Sequence, residues 1–363
     1  MLDEIFPVIP PKQPEPVAPH SLRYNPDVHR ICIIPQASRT GGVTSFQAKL
    51  AGELARRGIQ VCYSLKDMPF EAVLITGGVR DLLGLLRLRR WGIPLVQRLD
   101  GINWLHRRLP TGPRHFLRAE YGNRLLALLR TRVVSRVVYQ SEFVRNWWRD
   151  WFGPERVASS VIHNGVDLSA YSPVGPQDRP AGRFRLLLVE GSLQGGYETG
   201  LDTAIRLAGS LTEKFPLELA VAGSLPPEKK AVFQQKSRVP LQWEGLVPRD
   251  RIPFLDRSAH LLYSADLNAA CPNSVIEALA CGLPVAAFAT GALPELVTGE
   301  AGRLVPYGAD PWKLEEPDIP ALAQAAGEIL NDQPRFRAAA RRRAEAAFGL
   351  EKMTDLYLEA LLG

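Results

Sequence analysis

Residues 271–297, CPNSVIEALACGLPVAAFATGALPELV, hold three kinds of local information in one run. Pro272 and Asn273 open it as loop and helix-start residues. VIEALACG then forms a short apolar helix, with Glu277 inside it and Gly282 at the C-terminal cap. LPVAAFA reads as a buried parallel strand, closed by the Thr290-Gly291 turn, and Glu295 stands at the start of the next apolar segment. A strand-end loop that feeds a helix N-terminus offers free backbone N–H groups and the positive end of the helix dipole, which favour an anion. A carboxylate one turn further in accepts from the hydroxyls of a sugar or ribose. The competing reading is an ordinary β-α-β turn with a solvent-facing glutamate.

The run resembles the signature of the retaining GT-B glycosyltransferases of family 4, the group-1 or glycogen-synthase-like transferases that use nucleotide-sugar donors. In that family a glutamate, seven residues and a second glutamate precede an ALACGLPV-type run and a G-G-x-x-E turn. Glu277 falls on the second glutamate, and Gly282, Pro284, Gly291 and Glu295 fall on their positions. The resemblance assigns the donor ribose to Glu277, the loop around Cys271 to the donor, and the backbone of Asn273, Ser274 and Val275 to its phosphates. The first acidic position is Ala269 here, so the residue that faces the donor sugar in the family has no counterpart.

Upstream, FRLLLVEG (184–191) opens the second domain. The family continues with Gly-Arg and then Lys-Gly, two cations that hold the diphosphate. Here the run is EGSLQGGYETG: with Gly191 and Gly200 as the matching glycines, Ser192 replaces the arginine and Thr199 the lysine. Charge-assisted hydrogen bonds contribute about 1.5–3 kcal/mol each, so losing both weakens such a site by several kcal/mol. The glycine-rich backbone is one substitute, as an anion nest. The loop after Gly245 resembles the nucleobase pocket edge, with backbone atoms near Leu246 and Val247.

HRICIIPQ (29–36) is the first buried strand. Gly41-Gly42 follows at a strand-to-helix junction that resembles the acceptor-side glycine loop of GT-B enzymes, open to an acceptor or the diphosphate. IPLVQRLDG (93–101) ends in Asp100-Gly101, where many family members carry a sugar-contacting histidine. Asp100 binding a hydroxyl, Arg98 binding an acceptor carboxylate or phosphate, and a plain strand-ending turn are all open. Residues 103–132 read as a long basic, aromatic-rich connection at the sheet mouth. Ser141 is a good N-cap, resembles the start of the family's strand-Ser-Glu-Phe helix, and is expected with Gly41, Gly42 and Arg98 at the acceptor or the diphosphate. Trp147, Trp148, Trp151 and Phe152, mixed with Arg145 and Arg149, suit a membrane interface or the packed side of a helix. VIHNGVDLSAYSP (161–173) resembles the family's inter-domain crossing.

The 363 residues allow two domains of ordinary size. The apolar runs are too short for a membrane span, and the acidic, then proline-rich opening is unlike a signal peptide. Cys32, Cys62, Cys271 and Cys281 lack metal-ligand spacing and suit reduced thiols. Residues 1–167 hold 24 Lys+Arg against 14 Asp+Glu, and the remainder 20 against 24. A basic first half points to an anionic partner such as a membrane surface, or to solvated charge alone. Nucleic acid is not expected as a partner, because it requires a contiguous basic groove with aromatics.

The expected architecture is α/β, GT-B: two doubly wound Rossmann-like domains facing a cleft. Residues 1–28 form an extended arm, 29–168 the acceptor-side domain, 169–183 a linker and 184–340 the donor domain. Residues 341–363 form a C-terminal helix that crosses back to the first domain. The resemblance implies a glycosyltransferase that needs no metal or cofactor, takes a nucleotide-sugar donor and glycosylates a sugar or lipid-linked acceptor; the cysteines suit a cytoplasmic location and the basic first half suits membrane association. The catalytic residues would be Asp100 and Glu277. The alternative is a GT-B scaffold without catalysis that binds a glycan, nucleotide or partner, because Ala269, Ser192 and Thr199 are neutral.

Overall fold

A computed structural model describes residues 30–37, 41–196 and 198–363; the expected arm at 1–28 lies outside them. One sheet contains β1 (Arg30–Ile34), β2 (Gln60–Cys62), β3 (Ala72–Ile75), β4 (Leu95–Leu99), β5 (Arg136–Tyr139) and β6 (Ala158–Val161), in the order β2-β1-β3-β4-β5-β6. The second contains β7 (Phe184–Ser192), β8 (Leu217–Ser224), β9 (Leu241–Gly245), β10 (Leu261–Tyr263), β11 (Val285–Phe288) and β12 (Gly302–Val305), in the order β12-β11-β10-β7-β8-β9. The strand pairs are parallel. Parallel strands need both faces covered, which explains their continuous apolar runs: every residue of β3 and β11 is buried. Strand order reverses between β1 and β3 and again between β7 and β10. A doubly wound sheet opens a ligand crevice at the carboxyl ends of strands at such a point.

The C-terminal helix Leu350–Leu362 packs on the first lobe: Met353, Tyr357 and Leu361 join Phe46, Leu50 and Leu54 in one core. The Phe46 and Tyr357 rings lie 5.0 Å apart. The preceding helix, Gln333–Ala347, stays on the second lobe through Ala340 and Ala344. The crossing therefore falls at 348–349, and the boundary expected at 340/341 lies inside a helix. There the Val166 amide donates to Phe348 O (2.8 Å), and the Leu350 amide donates to Val166 O (3.0 Å). A Cβ on Gly165 would stand 2.9 Å from Leu350 Cα, so the Asn164-Gly165 turn needs its glycine for this close approach.

Two expectations change. Residues 103–132 are not a long loop. They form a 3-10 turn (Leu105–Arg107), a helix (Pro113–Leu128) and a π turn (Leu129–Val133). Pro113 is preset for a first helical turn. Fully buried Asn123 ties the helix down, bonding both the amide and the carbonyl of Asn103. The membrane-insertion option for the Glu142–Phe152 helix also fails, and the packing option holds. Trp148 is fully buried with Nε1 donating to Asp100 O (2.7 Å), and Trp147 is 5% exposed. Burying such a side chain contributes about 1.5–3 kcal/mol.

The lobes are clasped as well as juxtaposed. Trp312, from the loop after β12, reaches the first lobe and packs edge-on against Trp147 (4.9 Å) and Trp104 (5.1 Å). Glu295 accepts the Glu142 and Phe143 amides at 2.8 and 2.7 Å and so caps a helix of the opposite lobe. Burial pushes the Glu295 carboxyl up, but His163 and these amides outweigh it and hold it below its ordinary value.

Candidate functional site

A cleft of about 400 Å³ lies between the carboxyl ends of the two sheets. The first lobe lines it with Gly41, Gly42, Ser45, Arg98, Asp100, Gln140 and Asn164. The second contributes Val189, Glu190 and Gly191 after β7, Leu246 and Val247 after β9, Asp266 after β10, and the 270–274 loop with Glu277. Gly41 has φ +142° and begins the Gly42–Arg56 helix; a Cβ on Gly42 would face Asn273 Nδ2 across the cleft at 3.8 Å. Leu246 is 60% exposed, an apolar face at the rim.

The first-lobe wall is a polar network. Arg98 is 2% exposed, stacks 3.9 Å from the centre of the Phe46 ring, and donates from Nη1 to Asp100 Oδ1 (2.5 Å) and from Nη2 to Asn164 Oδ1 (3.0 Å). Gln140 Nε2 also donates to Asp100 Oδ1. Asn164 Nδ2 bonds Gln140 Oε1 (3.2 Å) and reaches across to Cys271 O (2.9 Å). With both Nη atoms engaged, Arg98 is a buried strut that orients Asp100. Asp100 lines the cleft with its side chain 39% exposed.

The opposite wall is the Asn273–Ala280 helix. Its N-cap residue is Pro272 and no side chain caps it, so the first amides are open. Among the described residues, buried Asn273 Oδ1 has no hydrogen-bond partner. Val275, expected at the phosphates, is fully buried and does not line the cleft. Glu277 accepts from Lys49 Nζ of the first lobe at 2.8 Å. Behind it Asp256 is 1% exposed, with only the weak Cys281 thiol as a hydrogen-bond donor beside it among the described residues; burial, then the Glu277 charge, pushes its carboxyl well up. Burial pushes the Cys271 thiol up to about 12, so it is a neutral filler.

Besides Val275, three expected residues do not line the cleft. Ser192 is exposed, accepting from the Gln194 amide. Thr199 donates to Gly196 O (2.9 Å) and borders a separate cavity on the second lobe. Ser141 is fully buried; it caps the Val144 amide and donates to Ala270 O (2.7 Å) across the lobes.

Sequence reasoning missed Glu190 and Asp266, which line the cleft at the β7/β10 switch point. Burial pushes Asp266 up to about 7, and burial followed by the Asp266 charge pushes Glu190 well up. The signal was present: an acid that ends the apolar run LLLVEG, and another directly after LLYSA. Lys49 was missed too, its partner being 228 residues away.

Residues 185–332 match the family described as Glycosyl transferases group 1. A D-inositol 3-phosphate glycosyltransferase of Salinispora tropica is 26% identical over 312 residues, 77% of this chain and 62% of that protein. A 2-deoxystreptamine N-acetyl-D-glucosaminyltransferase of Streptomyces fradiae is 32% identical over 94 residues, 26% of this chain and 20% of that protein. The chain spans less than two thirds of the length of the curated relatives it matches, from 20% to 63%. Sucrose-phosphate synthase from Thermosynechococcus elongatus superposes with TM-score 0.69 at 17% identity, over 91% of this chain and 98% of that one. Anabaena HepE, solved with UDP-glucose, gives TM-score 0.64 at 18% identity, over 92% and 99%.

Proposed function

We propose, from the premise that the second lobe is a glycosyl transferases group 1 domain within a GT-B fold, that this protein transfers a sugar from a nucleotide donor to an acceptor hydroxyl with retained configuration. The observation that carries the proposal is the convergence of Glu277, the uncapped amides of its helix and Asp100 on one interlobe cleft. Glu277 accepts from the donor ribose. The amides at 273–275 take the diphosphate, stabilising the charge that develops as the sugar leaves. The backbone at Leu246 and Val247 frames the base, Asp100 takes a sugar hydroxyl, and the Gly41-Gly42 turn leaves room for the diphosphate or acceptor. The test is turnover with UDP-, GDP-, ADP- and TDP-sugars, beginning with UDP-glucose, which HepE binds. Glycosyl transfer or slow hydrolysis of one donor is expected. Nucleotide binding without turnover would favour a scaffold that has lost catalysis, and neither binding nor turnover would sink both readings.

The Glu190–Asp266 pair makes donor binding pH-dependent. Their folded values are raised, so the stability they contribute is complete below the unfolded carboxyl range near pH 4 and is lost as pH rises through about 7. Over the same rise the pair gains negative charge beside the diphosphate. UDP affinity, measured by calorimetry, is expected to fall severalfold between pH 6 and 8 in wild type and to flatten in Asp266→Asn, which removes the group that titrates at about 7. A flat wild-type profile would remove the pair from the donor site.

The acceptor is a sugar or lipid-linked glycan, and the reaction belongs to polysaccharide, glycolipid or other cell-envelope glycan synthesis at the cytoplasmic membrane surface. Among the described residues no helix is long and apolar enough to cross a membrane. The first lobe instead exposes Leu83 (78%), Trp91, Leu117 (68%) and Tyr121 on the Leu82–Arg90 and Pro113–Leu128 helices, among exposed Arg87, Arg90, Arg114 and Arg118. Apolar side chains amid arginines suit an anionic bilayer. Leu83→Ser with Leu117→Ser is expected to weaken partition onto phosphatidylglycerol vesicles about tenfold; unchanged partition would exclude this face.

A further inference from the structure

Lys49 and Glu277 form an ion pair across the cleft, Nζ to Oε1 at 2.8 Å, with side chains 13% and 11% exposed. Lys49 lies on the Gly42–Arg56 helix of the first lobe and Glu277 on the second-lobe helix read above as the ribose support. We propose that Lys49 is a positioning residue for nucleoside recognition: it fixes the Glu277 carboxylate through Oε1 and leaves Oε2 to accept from a ribose hydroxyl. The acceptor-side lobe thus takes part in selecting the nucleoside. The inference rests on the ribose role of Glu277.

The surroundings of Glu277 make such a partner necessary. The carboxylate is nearly buried, and beneath it lies Asp256, a second buried carboxyl with no cation hydrogen-bonded to it among the described residues. An ionised carboxylate in such a place requires a counter-charge. Among the described residues, Lys49 supplies the ion pair to Glu277, and no hydrogen bond reaches Oε2. The lysine is itself confined: its Nζ lies 5.9 Å from the centre of the ring of Tyr171, a residue 7% exposed in the segment joining the lobes. The ammonium therefore has little freedom to follow the carboxylate elsewhere, and one oxygen keeps facing the cleft.

A double-mutant cycle read by calorimetry with UDP and 2′,3′-dideoxy-UDP tests this. Lys49→Met is expected to weaken UDP binding about tenfold, to narrow the preference for UDP over the dideoxy analogue, and to leave the dideoxy affinity within twofold. Lys49→Arg should restore part of the preference. The Lys49→Met/Glu277→Gln variant should bind no more weakly than Glu277→Gln alone. Additive losses, an unchanged preference in Lys49→Met, or tighter UDP binding (as if the lysine competes with ribose) would overturn the proposal. If Glu277→Gln itself keeps full preference for UDP, the ribose role fails first. Melting temperatures of each variant separate unfolding from lost recognition.

Discussion

Glu277→Gln is expected to weaken nucleoside diphosphate binding by one to two orders of magnitude, with the loss concentrated in the ribose. A hydrogen bond to a charged group contributes about 1.5–3 kcal/mol, and each 1.4 kcal/mol is tenfold in affinity. The substitution keeps the shape of the side chain and removes the charge, while Lys49 loses the partner 2.8 Å away. UDP should therefore fall toward the affinity of its dideoxy analogue, and turnover, where measurable, should fall with it. Calorimetry on the pair of ligands reads the effect directly. An undiminished preference for the ribonucleotide would show that the carboxylate faces something else.

Arg98→Met is expected to produce the largest loss of stability, about 3–5 kcal/mol, the range for breaking a buried ionic group's partnerships. The methionine cannot replace the bonds to Asp100 and Asn164, and Asn164 is 4% exposed, leaving its oxygen unsatisfied. Asp100→Asn should cost far less, because the amide oxygen can still accept from Arg98 Nη1 and Gln140 Nε2 and the side chain is 39% exposed. Urea denaturation of the two variants tests the asymmetry. A loss below about 1 kcal/mol for Arg98→Met would mean that the network is not structural.

What the sequence disclosed is what is encoded locally. The 271–297 run carries its loop, helix, strand and turn in consecutive residues, and each forms where the residue types require it. The alternation of apolar strands with helices was enough to arrive at two parallel sheets. Residues 103–132 were misread because Pro110, Gly112 and Pro113 look like loop punctuation; the helix begins at Pro113 and is secured by Asn123, whose partner is 20 residues away. The tryptophans of 147–152 left two readings open, since periodicity does not distinguish a membrane from the opposite lobe's Trp312.

The site was legible on one side only. Gly41-Gly42 and Asp100 stand at helix or strand ends, where a sequence marks them by position, and Glu277 stands inside the short helix of the 271–297 run. The partners that set their chemistry are remote: Lys49 for Glu277, Gln140 and Asn164 for the Arg98–Asp100 pair, and Glu190 for Asp266. No spacing rule joins residues 228 apart. Motif matching put Ser192 and Thr199 in the donor site because cations are expected there, but one is exposed and the other borders a different cavity. In the proposed donor site, anion-binding capacity comes from the open helix amides at 273–275 and from Arg249, which lines the cleft, while protonation of the Glu190–Asp266 pair only removes repulsion.

A crystal structure of the full chain with UDP tests the whole account in one measurement. The ribose hydroxyls should lie at about 2.6–3.2 Å from Glu277 Oε2, with the diphosphate on the amides of residues 273–275 and the base against 246–247. UDP bound outside the interlobe cleft, or within it with its ribose turned away from Glu277, would contradict it.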